Sequence, residues 1–310
     1  MPRQMPRWLG VVLRLVGTAG GLAWIAFHVE LESATDAMGR ISLATFGLAA
    51  VLVAGNVVVG AVRWKAVLRA YGATRIPSIV RLAYLYFVAF FYNNYLPGAV
   101  AGDVGRGVVT RDAFEGEGAT GALAVVLVER ALGLFALFAL LALGLAIAGD
   151  AVESTALWLW TVIGCAGSVT LIVTIPAARR LAPMLPGPLR RIAEKLPALH
   201  DGKAFVAAIA LSLGTQVLVA LAGWILLAEL GPIGFGASLL VVPLAAATTF
   251  LPITVGGAGA REAVYVALCG QLFGMPEADA LAASLGLWLA HLVVGAAGGV
   301  AQLAARKRTS

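Results

Sequence analysis

Six apolar runs in this sequence are long enough to cross a lipid bilayer, at about 11–29, 42–62, 119–148, 156–175, 205–228 and 281–303. Two further apolar regions, about 82–114 and 237–274, are broken by Pro, Gly and charge. The first break reads YNNYLPGAVAGDVGR from Tyr92, and the second reads LPITVGGAGARE from Leu251. A continuous helix satisfies its own backbone polar groups in lipid. A broken one does not, so a break at membrane depth is tolerated only inside protein or beside a water-filled cavity. The pattern therefore predicts full spans interleaved with two segments that build something polar in the interior.

Composition strengthens this reading. The chain is 61% hydrophobic and 12% charged, with mean hydropathy +0.94. A polytopic membrane protein is the class such values define. The net charge of +6 is not a nucleic-acid footprint, because its placement follows the membrane. Residues 1–14, 63–81 and 176–204 and the tail Arg306, Lys307 and Arg308 hold 17 of the 22 basic residues. By the positive-inside rule all four segments are expected to be cytoplasmic, with both termini inside the inner membrane. The intervening stretches carry Glu30, Glu32 and Asp36, then Asp150 and Glu153, then Glu229, then Glu277 and Asp279, and are read as the outer side. The basic start with its long apolar run is read as a first span, with Arg14 reaching back to the cytoplasmic surface, and not as a signal peptide.

Tracing the chain from side to side makes each broken region begin and end on one face. The first is expected to be a re-entrant hairpin entering from the cytoplasm and the second a re-entrant hairpin entering from outside. The order helix, helix, hairpin, helix then repeats in opposite orientation, which is the inverted-topology repeat of many secondary transporters. At an offset of 155 residues, Leu96, Pro97, Val100, Gly102 and Arg106 match Leu251, Pro252, Val255, Gly257 and Arg261 without a gap, and Tyr95 faces Phe250. The expected fold is an all-α polytopic protein of about six full transmembrane helices plus two oppositely oriented re-entrant hairpins. It forms a single integral membrane domain, 1–310, with inverted repeats about 1–155 and 156–310.

Few charges lie outside the expected loops. Asp103, Arg106, Arg261 and Glu262 fall at the hairpin tips, and Glu129 and Arg130 fall within the span 119–148. A charge at that depth costs at least a few kcal/mol and normally faces the bundle interior, paired. Neighbours in sequence point about a quarter-turn apart, so Glu129 is expected to pair with Arg106 or Arg261, and Arg130 with Asp103 or Glu262. These six residues, with Asn93 and Asn94 flanking the first break, are the candidate substrate-binding set. Arginines near hairpin tips suit an anionic group, and free N–H groups at helix ends add to this. The plainer reading is that the pairs lock helices together. Asn56 and Gln216 are read as interhelical hydrogen-bonding residues. His291 is read as a hydrogen-bonded packing residue, with proton carriage as its alternative.

Other chemistry is not marked. Cys165 and Cys269 lie in apolar segments, and His28, His200 and His291 are far apart, so neither a disulfide framework nor a metal spacing arises. Gly256, Gly257 and Gly259 alone make a weak phosphate loop; there is no Walker motif and no nucleophile elbow. No cofactor, metal or catalytic residue is expected, and no nucleic-acid partner.

The segments FFYNNYLPGAVAGDVGR, VLVERALGL and LPITVGGAGAREAV, in this order, resemble the transmembrane domain of the lysylphosphatidylglycerol synthase family. The resemblance spans nearly the whole chain. It implies a lipid-handling or lipid-translocating protein with the charged residues above near its centre. The sequence stops at Ser310, so the soluble aminoacyl-transferase domain of the bifunctional members is not expected. The leading function is a flippase or transporter for an anionic or zwitterionic phospho- or glycolipid headgroup. The alternatives are an intramembrane enzyme acting on a lipid phosphate and a non-transporting partner of a glycosyltransferase. Expected partners are a membrane lipid substrate, together with either a second copy of the chain or an enzyme of a lipid pathway.

Overall fold

The computed structural model of the protein describes residues 7–96, 101–114, 118–148, 155–250 and 257–307. Pro97, Val100, Leu251, Pro252, Val255 and the acidic Asp150 and Glu153 lie outside the described residues, as does the side chain of Arg14.

Every regular element among the described residues is helical. In chain order they are α1 (Arg7–His28), α2 (Leu31–Arg40), α3 (Leu43–Ala70), α4 (Ile79–Tyr95), α5 (Ala101–Val109) and α6 (Gly118–Ala148). The second half follows with α7 (Thr155–Leu181), α8 (Gly187–Ala193), α9 (Gly202–Leu230), α10 (Phe235–Ala247), α11 (Ala260–Phe273) and α12 (Glu277–Lys307). Five of these, α3, α6, α7, α9 and α12, are long and apolar enough to cross a membrane, whereas the apolar part of α1, Leu15–Phe27, is shorter.

Three elements differ from the expected boundaries. The acidic stretch after residue 30 is not a plain loop but contains α2. The α7 helix continues through Pro176 to Leu181. The α3 helix runs past its expected end at residue 62 to Ala70, carrying Arg63, Lys65 and Arg69 in helical geometry. The reason is common to the last two. A charge marks where a span meets polar surroundings, but Arg and Lys are good helix formers and do not end a helix. What ends α3 is the turn at Gly72, whose φ of +75° favours glycine.

The start of α3 is capped by the Ser42 hydroxyl, which accepts from the Thr45 N–H at 3.2 Å. The Thr45 hydroxyl in turn donates to Glu229, near the end of α9, at 2.8 Å. At the far end of α3 the Ala70 carbonyl accepts from the His200 N–H at 2.8 Å, just ahead of α9. Thus α3 and α9 lie antiparallel along their length. The end holding Ser42 and Glu229 also holds the Arg40–Asp279 ion pair. The opposite end joins the Thr74 N–H to the Ala113 carbonyl at 2.9 Å.

The packing scheme has a regularity of its own. The α4 helix lies on α12, and α6 lies on α10; α4 folds against α5, and α10 against α11; α5 touches α6, and α11 touches α12. Exchanging the first set of helices with the second maps each of these contacts onto another. The outlying contacts break the pattern, since α1 packs on α11 whereas α7 packs on α6. Glycine makes two of the matched seams close. A Cβ on Gly144 of α6 would stand 2.7 Å from the backbone of Leu239 on α10, and one on Gly298 of α12 would collide with the Phe87 carbonyl on α4. Without a hydrophobic drive between helices in lipid, such backbone contact is what holds them.

A polar cavity as the candidate functional site

At the centre Glu129, on α6, is 1% exposed. Its Oε1 accepts from Arg63 Nε at 3.2 Å, from Arg63 Nη2 at 3.1 Å and from the Tyr86 hydroxyl at 2.9 Å. Its Oε2 accepts from Arg106 Nη2 at 2.5 Å. The same Arg106 nitrogen donates to Asp103 Oδ1 at 3.1 Å, and Asp103 Oδ2 accepts from Arg130 Nε at 2.9 Å. The result is one alternating chain, Arg63, Glu129, Arg106, Asp103, Arg130, drawn from α3, α6 and α5. Charge-assisted hydrogen bonds of this kind offset the large cost of keeping ions out of water.

Arg106 is held by rings as well as acids. Its guanidinium carbon lies 4.3 Å from the centre of the Trp64 ring and 4.3 Å from that of Tyr86. Desolvated cation–π contacts are worth about 2 kcal/mol each. Its Nε and Nη1 are buried and find no hydrogen-bond partner among the described residues. Among the described residues, two carboxylates bridge three arginines in this network.

Beside the network opens a cavity of about 240 Å³. Arg63, Asp103, Glu129 and Arg130 form its ionic lining. Asn56 on α3, Asn93 on α4, Gln216 on α9, and Thr249 and Phe250 of the short turn Thr248–Phe250 after α10 contribute as well. Both halves of the chain therefore reach it. Asn93 also braces α5. Its Oδ1 accepts from the Gly102 N–H at 2.9 Å, satisfying an orphan donor in the first turn of that helix from across the break.

Of the residues expected at the site, Asn93, Asp103, Glu129 and Arg130 line the cavity, and Arg106 is bonded directly to two of them. The expected pairings of Glu129 with Arg106 and Arg130 with Asp103 are present. Asn94 turns away, its amide donating to its own helix at Phe90 at 2.8 Å. Arg261 and Glu262 are not among the lining residues. They pair with each other in the first turn of α11, where Glu262 Oε2 also accepts from the Gly259 N–H at 2.8 Å and Arg261 lies over Trp288 at 5.8 Å. Adjacent long side chains can wrap together at a helix start, where the preceding turn leaves room. Gln216 acts as expected of a bridging amide, donating to the Gly133 carbonyl at 3.2 Å. His291 engages the Leu287 carbonyl at 2.8 Å and packs on Phe90, as a packing residue does.

Arg63, Trp64 and Tyr86 are the members that sequence reasoning missed. The positive-inside rule assigns Arg63 to a cytoplasmic loop. The contrary signal is the absence of any Pro or Gly between Ala61 and Tyr71, which lets α3 continue and turns Arg63 inward. The network also belongs to one half only. At the 155-residue offset Ser284 stands where Glu129 stands, and its buried hydroxyl has no hydrogen-bond partner among the described residues.

An all-helical, multi-pass membrane protein with a charged interior is the class this fold and site define. The family description of the lysylphosphatidylglycerol synthase TM region matches residues 11–299, and the chain belongs to that family. No curated protein matches the chain.

Proposed function

We propose that this protein is a lipid transporter of the flippase type, moving the headgroup of an anionic or zwitterionic phospho- or glycolipid across the inner membrane through the central cavity. The observation that carries this is the buried Arg63–Glu129–Arg106–Asp103–Arg130 chain beside a cavity lined from both halves. An anionic headgroup offers acceptor oxygens that can replace the carboxylates at these arginines. The fold it would use is an inverted repeat, about 1–155 against 156–310, with α4–α5 and α10–α11 as re-entrant hairpins and α1 as a sixth span. The antiparallel α3 and α9 and the exchangeable packing scheme support this. Both termini are cytoplasmic in this reading. The ends joined by Ser42, Glu229, Arg40 and Asp279 carry the acidic stretches, and the ends joined by Thr74, Ala113 and His200 lie near the basic ones.

In this mechanism Asn93, Asp103, Arg106, Glu129 and Arg130 handle the headgroup. The acids hold the arginines in the empty state, and a lipid phosphate displaces part of that bonding. Arg261 and Glu262 would set the opposite hairpin. The deciding experiment is lipid translocation by the purified protein in proteoliposomes. Arg106→Ala is expected to abolish translocation in protein that remains monodisperse. Normal movement by such a variant would assign the network to packing alone.

A further inference from the structure

Resting on the lipid-transport reading, we infer that an anionic phospholipid enters from the bilayer along the outer face of α5. Its acyl chain lies on the stripe Ala101, Val104, Gly105, Val108 and Val109, and its phosphate passes from Arg111 toward Asp103 and Arg130. The nine residues of α5 have two faces. Gly102, Arg106 and Gly107 are buried, Gly102 against the Ala89 backbone and Gly107 against the Val126 side chain. The stripe on the other side, at spacings of three and four, is exposed. A single helix thus separates this surface from the Arg106 network. Asp103 stands between the two faces and lines the cavity.

The other half covers the matching surface. At the 155-residue offset Val104, Gly105, Val108 and Val109 correspond to Gly259, Ala260, Ala263 and Val264, of which Gly259 is buried and none is exposed. Their cover is α1, where a Cβ on Gly21 would stand 2.8 Å from the Gly259 Cα. The same offset puts Pro176 in the place of Gly21 and Val104 in the place of Gly259. The seam of two glycines is gone, and α7 lies on α6 instead. Helices in lipid associate through small residues that let backbones meet. The three valines on α5 do not offer that, whereas an acyl chain packs on branched side chains without it. Charge points to the same occupant. Arg111, just past the end of α5, is exposed, and its ion pair with the adjacent Asp112 is long at 3.6 Å. The nine residues of α5 span about 13 Å, close to the depth of one leaflet. A phospholipid with its chain along α5 therefore has its phosphate within reach of Arg111, and the Asp103–Arg130 pair lies toward the other end.

The test reconstitutes the full chain in phosphatidylcholine vesicles holding traces of phosphatidylglycerol or diacylglycerol, each with a diazirine midway along one acyl chain. Light-induced adducts are located by mass spectrometry, and movement of phosphatidylglycerol is followed in parallel. Adducts of phosphatidylglycerol on residues 101–109 are expected to exceed those of diacylglycerol about tenfold, the effect of one charge-assisted hydrogen bond. On the exposed face of α7, at Val162, Val169 and Val173, the two are expected to label alike. A Cβ on Gly105 of α5 or on Gly167 of α7 meets no atom within 4 Å, so both positions have room for a bulky residue. Gly105→Trp is expected to remove the α5 adducts and lower movement severalfold, and Gly167→Trp to change neither. Equal labelling of α5 by the two lipids overturns the inference, as does wild-type labelling and movement in Gly105→Trp. Disulfide linkage of two copies through Val104→Cys, in a chain also carrying Cys165→Ser, would seat a second chain on this face and overturns it as well. Selective adducts that Gly105→Trp removes, with no lipid moved by the wild-type protein, uphold the lipid site and overturn transport instead.

Discussion

Glu129 receives hydrogen bonds from two arginines and a tyrosine, so its removal should be felt in stability before anything else. Breaking a buried pair by deleting one partner costs about 3–5 kcal/mol. Glu129→Gln is therefore expected to lower the thermal midpoint in detergent clearly, and an unchanged midpoint would show that the carboxylate is not bonded as described. Arg106→Lys should separate charge from shape. A lysine keeps the charge but loses the planar fit between Trp64 and Tyr86. Translocation is expected to drop severalfold, with protein stability better preserved than in Arg106→Ala; full activity in the Lys variant would remove the ring contacts from the mechanism. Much of this network was legible from the cost of burying charge, which names Glu129, Arg130, Asp103 and Arg106 and leaves two candidate partners for each of Glu129 and Arg130, one of which is the partner found. Arg63 was not, because the positive-inside rule treats every basic residue beyond an apolar run as surface.

The α5 helix is short, and what holds it is specific. Gly102 lies against the backbone of Ala89 on α4 with no room for a Cβ, and its N–H is taken by Asn93. Gly102→Val is expected to push α5 from α4 and, through Asp103 and Arg106, to pull the network apart. The expected readouts are a lower thermal midpoint, by the few kcal/mol typical of overpacking, and lost translocation. Wild-type behaviour of the purified variant would mean that α5 does not pack as described. Elements such as α3, α6, α9 and α12 could be read from apolar length alone. The α2 helix could not, since its ten residues include three acids or bases and resemble a loop in composition. The break between α4 and α5 was legible from Pro and Gly, but not which groups close it. That depends on the register between two helices, and no periodicity encodes register.

At the scale of the whole molecule, topology is directly testable. In intact cells Ser33→Cys is expected to react with an impermeant thiol reagent and Ser310→Cys only after permeabilisation; external labelling of Ser310→Cys would invert the orientation. The matching residues at one offset were visible in sequence, whereas the inequality of their surroundings was not, because it lies in what packs around Arg106 and Arg261 and not in the arginines themselves. That inequality has an electrical consequence. Because the chain of arginines and carboxylates lies on one side only, an anionic headgroup held there in the proposed lipid-transport reading gives the loaded and vacant sites different net charges. A full elementary charge crossing the membrane field changes in energy by about 2.3 kcal/mol per 100 mV. In that reading the loaded and vacant reorientations should respond differently to the membrane potential. In vesicles clamped with potassium and valinomycin, the voltage dependence of net unidirectional lipid movement is expected to differ from that of lipid-for-lipid exchange. Voltage-dependent exchange would mean that the loaded centre is charged. The charge that the headgroup brings would thus decide which half of the cycle the cell's membrane potential drives.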